Sequence, residues 1–203
     1  MTEPYALVAY LILYLAAAFV WRSVQVWRQT GSNPIMFGRG GDDAHTFVGR
    51  MFALTIGLIS AVVIARALDL PLSRYAGSFD WLSSQPVRTT GWTLLVIALV
   101  WIVMAQHHMG ASWRIGVPDA GSSAQVPALV THGIFARSRN PIFLGMAASL
   151  AGFFLVMPNA LTLLTAVLGV VLMHIQIRIE EPYLSVRFGN AYADYASRVR
   201  RWL

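Results

Sequence analysis

The sequence predicts an all-α fold: a multi-pass membrane helix bundle of about five transmembrane helices, with an amphipathic helical tail at its C-terminal end. Three observations predict it. Of the 203 residues, 57% are hydrophobic and only 12% charged, whereas a soluble domain carries roughly a quarter charged residues. The apolar residues fall into five runs near the roughly 20 residues that cross a bilayer core of about 30 Å. The charged residues sit mostly at the ends of those runs.

The first run spans Pro4 to Val26. Only Glu3 precedes it as a charge, without the basic stretch of a signal peptide, and no small-residue cleavage site follows, so it reads as a retained helix. A polar stretch from Gly31 to His45 comes next, holding Asn33-Pro34 and Gly38-Arg39-Gly40-Gly41-Asp42-Asp43. The second run, Phe47 to Leu70, repeats a small residue every fourth position at Gly49, Ala53, Gly57 and Ala61. Such a stripe lets helix backbones approach closely. Packing within the chain is the expected use, and a homodimer through the stripe is the alternative.

Pro71 to Thr90 leads to the third run, Gly91 to His108. The longest connection, Gly110 to Asn140, is rich in Gly, Ser and Pro as far as Ala124; loops of that length are uncommon unless they have a function. The fourth run, Pro141 to Met157, and the fifth, Asn159 to Ile179, are separated only by Met157-Pro158-Asn159, which predicts a tight antiparallel hairpin. From Pro182 onward Leu184, Phe188, Tyr192, Tyr195, Val199 and Trp202 fall on one side at helical spacing, with Arg187, Asp194, Ser197 and Arg201 on the other. This pattern suits a tail lying on the membrane surface or covering the bundle. Gly189-Asn190 is expected to divide it into two short helices. The whole chain, 1–203, reads as one membrane domain: 1–108 supplies three helices, and 109–203 the long loop, the hairpin and the tail.

The net charge of +6 comes from fifteen arginines and no lysine. Twelve flank the first connection, the third connection or the tail, and only Arg66, Arg74 and Arg88 lie on the other side. The positive-inside rule then puts the N-terminus outside and the C-terminus in the cytoplasm, in what is read as a bacterial inner membrane. Basic residues scattered between bilayer-length segments are not a nucleic-acid surface. The absence of cysteine excludes disulfides, thiolate metal ligands and a cysteine nucleophile. No metal site is expected. His107 and His108 are adjacent on a helix and point about 100° apart, and Asp42-Asp43 lacks the further oxygens of a calcium loop. No lysine follows Gly38, Gly40 and Gly41, so they are not a phosphate loop.

Polar residues at the edge of a span are costly and suggest a use. In the fifth run His174, Arg178 and Glu181 share one helical face, with Gln176 and Glu180 beside them. Arg137, Arg139 and Asn140 arrive in the same layer just before the fourth run. Two readings stay open on spacing alone. The acids pair with Arg178 and Arg139 to fix the tail, with Pro182 as an ordinary helix start; or the layer is a ligand site.

Leu129-Val130-Thr131-His132-Gly133-Ile134-Phe135, then Ser138-Arg139-Asn140-Pro141-Ile142-Phe143-Leu144-Gly145, resembles the isoprenylcysteine carboxyl methyltransferase family and its phospholipid methyltransferase relatives. So does Glu180-Glu181 followed by Leu184, Phe188-Gly189, Tyr192, Tyr195 and Arg198-Val199. In that family an Arg-His-Pro motif precedes a membrane hairpin and a Glu-Glu pair follows it. The resemblance runs from about Met109 to Trp202, and the Asn33-Pro34 and Phe37-Gly38 loop is similar to bacterial members. It implies a membrane enzyme that transfers a methyl group from S-adenosylmethionine to a membrane lipid or a prenylated, lipid-like acceptor.

The resemblance further implies a cofactor pocket at the cytosolic ends of the last two helices, made by His132, Gly133, Phe135, Arg139, Asn140, Glu180, Glu181, Tyr192 and Tyr195. Arg139, Asn140 and Glu181 are its catalytic candidates, and His174 and Arg178 its acceptor candidates. A glutamate suits ribose hydroxyls or an ammonium, Arg139 suits a carboxylate, and aromatic faces suit adenine or a sulfonium. Two positions depart from the family pattern. Asn140 stands where histidine is common and Phe143 where tyrosine is common. Asparagine keeps a hydrogen-bonding group but offers no base, which leans away from an amine acceptor and towards a carboxylate or thiolate. The alternatives are a reductase similar to membrane sterol reductases, and a cofactor-binding membrane protein without turnover.

Overall fold

The computed structural model describes residues 3–35, 44–70, 77–116 and 128–203. The Gly38 to Asp43 stretch, the Phe37-Gly38 similarity, Arg39, Arg74 and the Gly/Ser/Pro-rich part of the long loop lie outside the described residues. Six helices carry the fold: α1 (Glu3–Thr30), α2 (Ala44–Ala67), α3 (Gln85–Met109), α4 (Pro141–Val156), α5 (Ala160–Phe188) and α6 (Asn190–Arg198). Short 3₁₀ turns follow α3 and precede α4. The described residues contain no strands, only two isolated bridges. Helices α1, α2, α5 and α3 with its following turn are long and apolar enough to cross a membrane. Helix α4 is apolar but has only 16 residues, about 24 Å at 1.5 Å per residue, and is the short member of the bundle.

Local chemistry sets the helix starts. Proline occupies the first turn of α3 and of α4, where a missing N–H costs nothing. Asn159 caps α5: its Oδ1 accepts from the N–H groups of Leu161 and Thr162, both at 3.0 Å, and the Thr162 hydroxyl accepts from the Asn159 N–H at 3.3 Å. Such a reciprocal box contributes about 1 kcal/mol. The predicted Met157-Pro158-Asn159 hairpin is present, and the α2–α3 connection ties it down through Phe79 N–H to the Pro158 carbonyl and Ala160 N–H to the Gly77 carbonyl.

Close packing is set by glycines the sequence reading did not single out. A Cβ on Gly145 would lie 2.5 Å from Ile102 Cγ1, one on Gly152 2.8 Å from Leu95 Cγ, and one on Gly91 2.9 Å from the Val156 backbone nitrogen. These positions seat α4 directly against α3. The α2 stripe behaves differently. Gly49 is buried, but Ala53, Gly57 and Ala61 are exposed, and nothing lies within 4 Å of a Cβ built on Gly57. Helix α2 packs within the chain through Val48, Phe52, Ile59, Val62 and Val63 instead. In a bilayer the outer face is apolar too, so side-chain packing and not removal from water decides which face turns inward.

The tail corrects two further expectations. The fifth helix does not stop near Ile179 but runs through Pro182 to Phe188. Proline in a helix interior withholds one N–H, here from the Arg178 carbonyl, without always breaking the helix. The break comes at Gly189, whose φ of +50° favours a residue without a Cβ, so only α6 is a separate short helix. The predicted faces hold along α6, with Tyr192 and Tyr195 buried and Asp194 and Ser197 exposed. Arg201 departs from its predicted outer face. Helix α6 ends at Arg198 and Val199 is extended, so helical spacing no longer governs the residues after it.

The orientation expected from the arginine distribution has a direct test. Reporter fusions after Leu70 and after Leu203 are expected to read external and cytoplasmic respectively; the same signal at both sites overturns the arrangement.

Candidate functional site

The site forms where the N-terminus of α4, the C-terminal half of α5 and α6 converge. Residues 133–136 make a 3₁₀ turn that delivers Phe135 inward. Gly133 makes that turn possible: its φ is +61°, and a Cβ there would lie 2.5 Å from the His108 ring. The turn is pinned from α6, where the Tyr195 hydroxyl donates to the Phe135 carbonyl at 2.7 Å. Ser138 is fully buried and its hydroxyl accepts from the Asn140 N–H at 3.1 Å, which turns the chain into α4.

Arg139 and Glu181 meet across this junction. Arg139 Nη1 lies 3.4 Å from Glu181 Oε1 and donates to the Tyr192 hydroxyl at 3.3 Å. Arg201 grips the same carboxylate with two bonds, Nε to Oε1 at 2.8 Å and Nη2 to Oε2 at 2.7 Å. One helical step away, Glu180 Oε1 accepts from buried Gln176 Nε2 at 2.8 Å. Burial pushes the Tyr192 phenol up, and pushes that of Tyr195 up to about 12. Both therefore stay neutral walls near pH 7. Burial also pulls the Arg114 guanidinium down from its usual value.

Two cavities open from this layer. The larger, about 290 Å³, runs into the bundle between α1, α2, α3 and α4, and is lined mainly by apolar residues such as Phe19, Phe52, Ala53, Ile102 and Met146. The smaller, about 120 Å³, lies under the tail and is lined by Leu129, Val130, Glu181, Tyr183, Tyr192 and Tyr195 among others. They share the walls Met109, Arg114, Phe135, Arg139, Asn140 and Glu180. A polar seam thus separates an apolar chamber from a mixed polar and aromatic one.

The sequence-derived candidates divide clearly. Phe135, Arg139, Asn140 and Glu180 line both cavities, while Glu181, Tyr192 and Tyr195 line the smaller one. His132 and Gly133 line neither; they shape the turn, with the His132 ring 6.3 Å from that of His108. His174 and Arg178 are exposed and also line neither, and His174 packs edge-on against Trp202 at 4.9 Å. The shared face of His174, Arg178 and Glu181 is real, but the residues after α6 grip Glu181 and only touch His174 through Trp202.

Sequence reasoning missed Arg114, Ser138, Gln106 and Arg201. Only the Ser-Arg-Asn turn pattern could have found one of them. It also missed a π-helical segment in α1, Ala16–Trp21, which widens the helix beside the larger cavity. Gln106 is buried there and donates to the Ala18 carbonyl at 2.7 Å. The Asn33-Pro34 loop reaches the same region: the Ile115 N–H donates to the Pro34 carbonyl at 2.9 Å.

The described residues form a helical membrane bundle with an apolar chamber opening onto a polar, arginine- and carboxylate-bearing seam. The phospholipid methyltransferase family model matches residues 87–191, just over half of the 203-residue chain, from α3 into α6, and the chain belongs to that family. It is an integral membrane methyltransferase of the isoprenylcysteine carboxyl methyltransferase-like group. No curated protein matches the chain individually.

Proposed function

We propose that this protein transfers a methyl group from S-adenosylmethionine to a lipid-like, anionic acceptor at the cytoplasmic face of a bacterial inner membrane, as an isoprenylcysteine carboxyl O-methyltransferase-like enzyme. The observation that carries the reading is the shared polar seam between the two cavities. The residues of the smaller cavity fit the methyl donor. Arg139 Nε is buried with no protein partner among the described residues, a donor that a bound carboxylate would satisfy. Glu180 and Glu181 suit the donor's ammonium and ribose hydroxyls. The Tyr192 and Tyr195 hydroxyls are already bonded, which leaves their ring faces for adenine.

Bound there, S-adenosylmethionine supplies a methyl carbon made electrophilic by its positive sulfonium. The chain's own contribution is alignment and the exclusion of water, which converts an encounter into an intramolecular approach. Asn140 donates its amide to the Arg201 carbonyl at 2.9 Å and takes no proton. A carboxylate or thiolate acceptor needs none removed, and Arg114 and Arg139 in the seam favour an anion. Thermal shift in detergent should respond to S-adenosylhomocysteine and not to NADPH, the ligand of the reductase alternative. A shift with NADPH alone overturns the reading. Labelled S-adenosylmethionine with a membrane lipid extract then identifies the acceptor.

Ala53 is exposed on α2 and also lines the larger cavity, which supports lateral entry of the acceptor from the bilayer there rather than past His174. Ala53→Trp is expected to raise the acceptor's KM about ten-fold with S-adenosylhomocysteine affinity unchanged. Unchanged acceptor kinetics would place the entrance elsewhere.

A further inference from the structure

The residues after α6 do more than finish the chain's amphipathic tail. Val199 is extended (φ −115°, ψ 128°) and sends the backbone back across the seam. The Arg139 N–H donates to the Arg200 carbonyl at 3.0 Å. Asn140 Nδ2 donates to the Arg201 carbonyl at 2.9 Å. The Arg201 guanidinium holds both oxygens of Glu181, and the next ring, Trp202, packs on His174. These contacts fall on Arg139, Asn140 and Glu181, the residues that carry the site, yet the segment lies beyond the family match, which ends at residue 191.

We propose that residues 199–202 form a positioning clamp for the donor pocket, in which Arg201 orients Glu181 and Asn140 anchors the segment. The inference rests on the donor-site reading above. A carboxylate on a helix otherwise samples several rotamers; a two-point guanidinium fork fixes its plane. Arg201 donates to both oxygens and takes two of the carboxylate's roughly four acceptor positions, with the Arg139 guanidinium alongside at 3.4 Å as an ion pair. The remaining positions are left for a ligand hydroxyl or ammonium. The Asn140 amide ties the α4 N-terminus to the clamp. Arg201 lines neither cavity, so its guanidinium acts through Glu181.

The test is S-adenosylhomocysteine titration of the full chain in detergent, comparing wild type, Arg201→Gln, Glu181→Gln and the double variant. Arg201→Gln is expected to weaken binding about ten-fold, and in the Glu181→Gln background to weaken it no further, because the two act as one unit. A tail that merely stabilises the fold would give a penalty independent of residue 181. Wild-type affinity in Arg201→Gln, or a full additional loss in the double variant, overturns the clamp. If Arg201→Gln does not survive extraction, Arg201→Lys carries the same comparison, since it keeps the charge and loses the fork. A wild-type protein that binds no S-adenosylhomocysteine overturns the donor-site reading itself, and the clamp with it.

Discussion

Glu181→Gln is expected to weaken S-adenosylhomocysteine binding about 30-fold, or about 2 kcal/mol, and Arg139→Ala by a comparable factor. Glu181 is the one carboxylate against two guanidinium groups, with Arg201 at 2.7 Å and Arg139 at 3.4 Å. Neutralising it leaves two like charges facing each other and removes the acceptor proposed for the donor's ammonium or hydroxyls. The low end of the range for broken charge pairs applies, because the Glu181 side chain is 20% exposed and that of Arg201 40% exposed, so water screens part of the loss. Isothermal titration in detergent reads the effect, and retained monodispersity shows that the bundle is intact. Normal affinity in both variants would leave the polar layer with a purely structural role.

Gly91→Val and Gly152→Val are expected to destabilise the bundle by about 1–3 kcal/mol each and to lower its melting temperature in detergent, with Gly57→Val close to neutral. The contrast follows from what each new side chain meets. At Gly91 a Cβ lies 2.9 Å from a backbone nitrogen, and at Gly152 3.1 Å from the Gly91 carbonyl oxygen, neither of which can swing aside. At Gly57 nothing lies within 4 Å. Because α4 carries Asn140 at its N-cap, forcing it away from α3 also moves the seam. Donor affinity should fall alongside stability in the first two variants and stay at the wild-type level in the third. Equal melting temperatures for all three would show that the α3–α4 contact is looser than the structure has it.

Much of the fold was legible because a bilayer constrains it harshly. Backbone groups in hydrocarbon must pair internally, so apolar runs of sufficient length become helices, and the Met157-Pro158-Asn159 turn left room only for a hairpin. The tail's alternation was legible through Tyr195 because 3.6-residue spacing holds while the helix lasts. It failed at Arg201, past the extended Val199 where the helix has ended. Packing of the Gly49 stripe within the chain failed at Ala53, Gly57 and Ala61, which are exposed, because spacing reports that a face is small, not which way it points.

The sequence by itself determined that this chain is a multi-pass helical bundle, and through its paired motifs that it belongs with membrane methyltransferases. Composition, run length and local motif are properties of short segments and survive without knowledge of the fold. Only the tertiary structure decided which polar residues meet. His174, Arg178 and Glu181 share a helical face, yet Glu181 alone lines a cavity, because what covers a face comes from elsewhere in the chain. Arg114, the adjacent Arg139 and Asn140, and Glu180 come from three segments and form one wall, and Arg201 closes on Glu181 across 20 residues of sequence. Those contacts depend on where the helices pack and where the backbone leaves the helix, and no local periodicity encodes either.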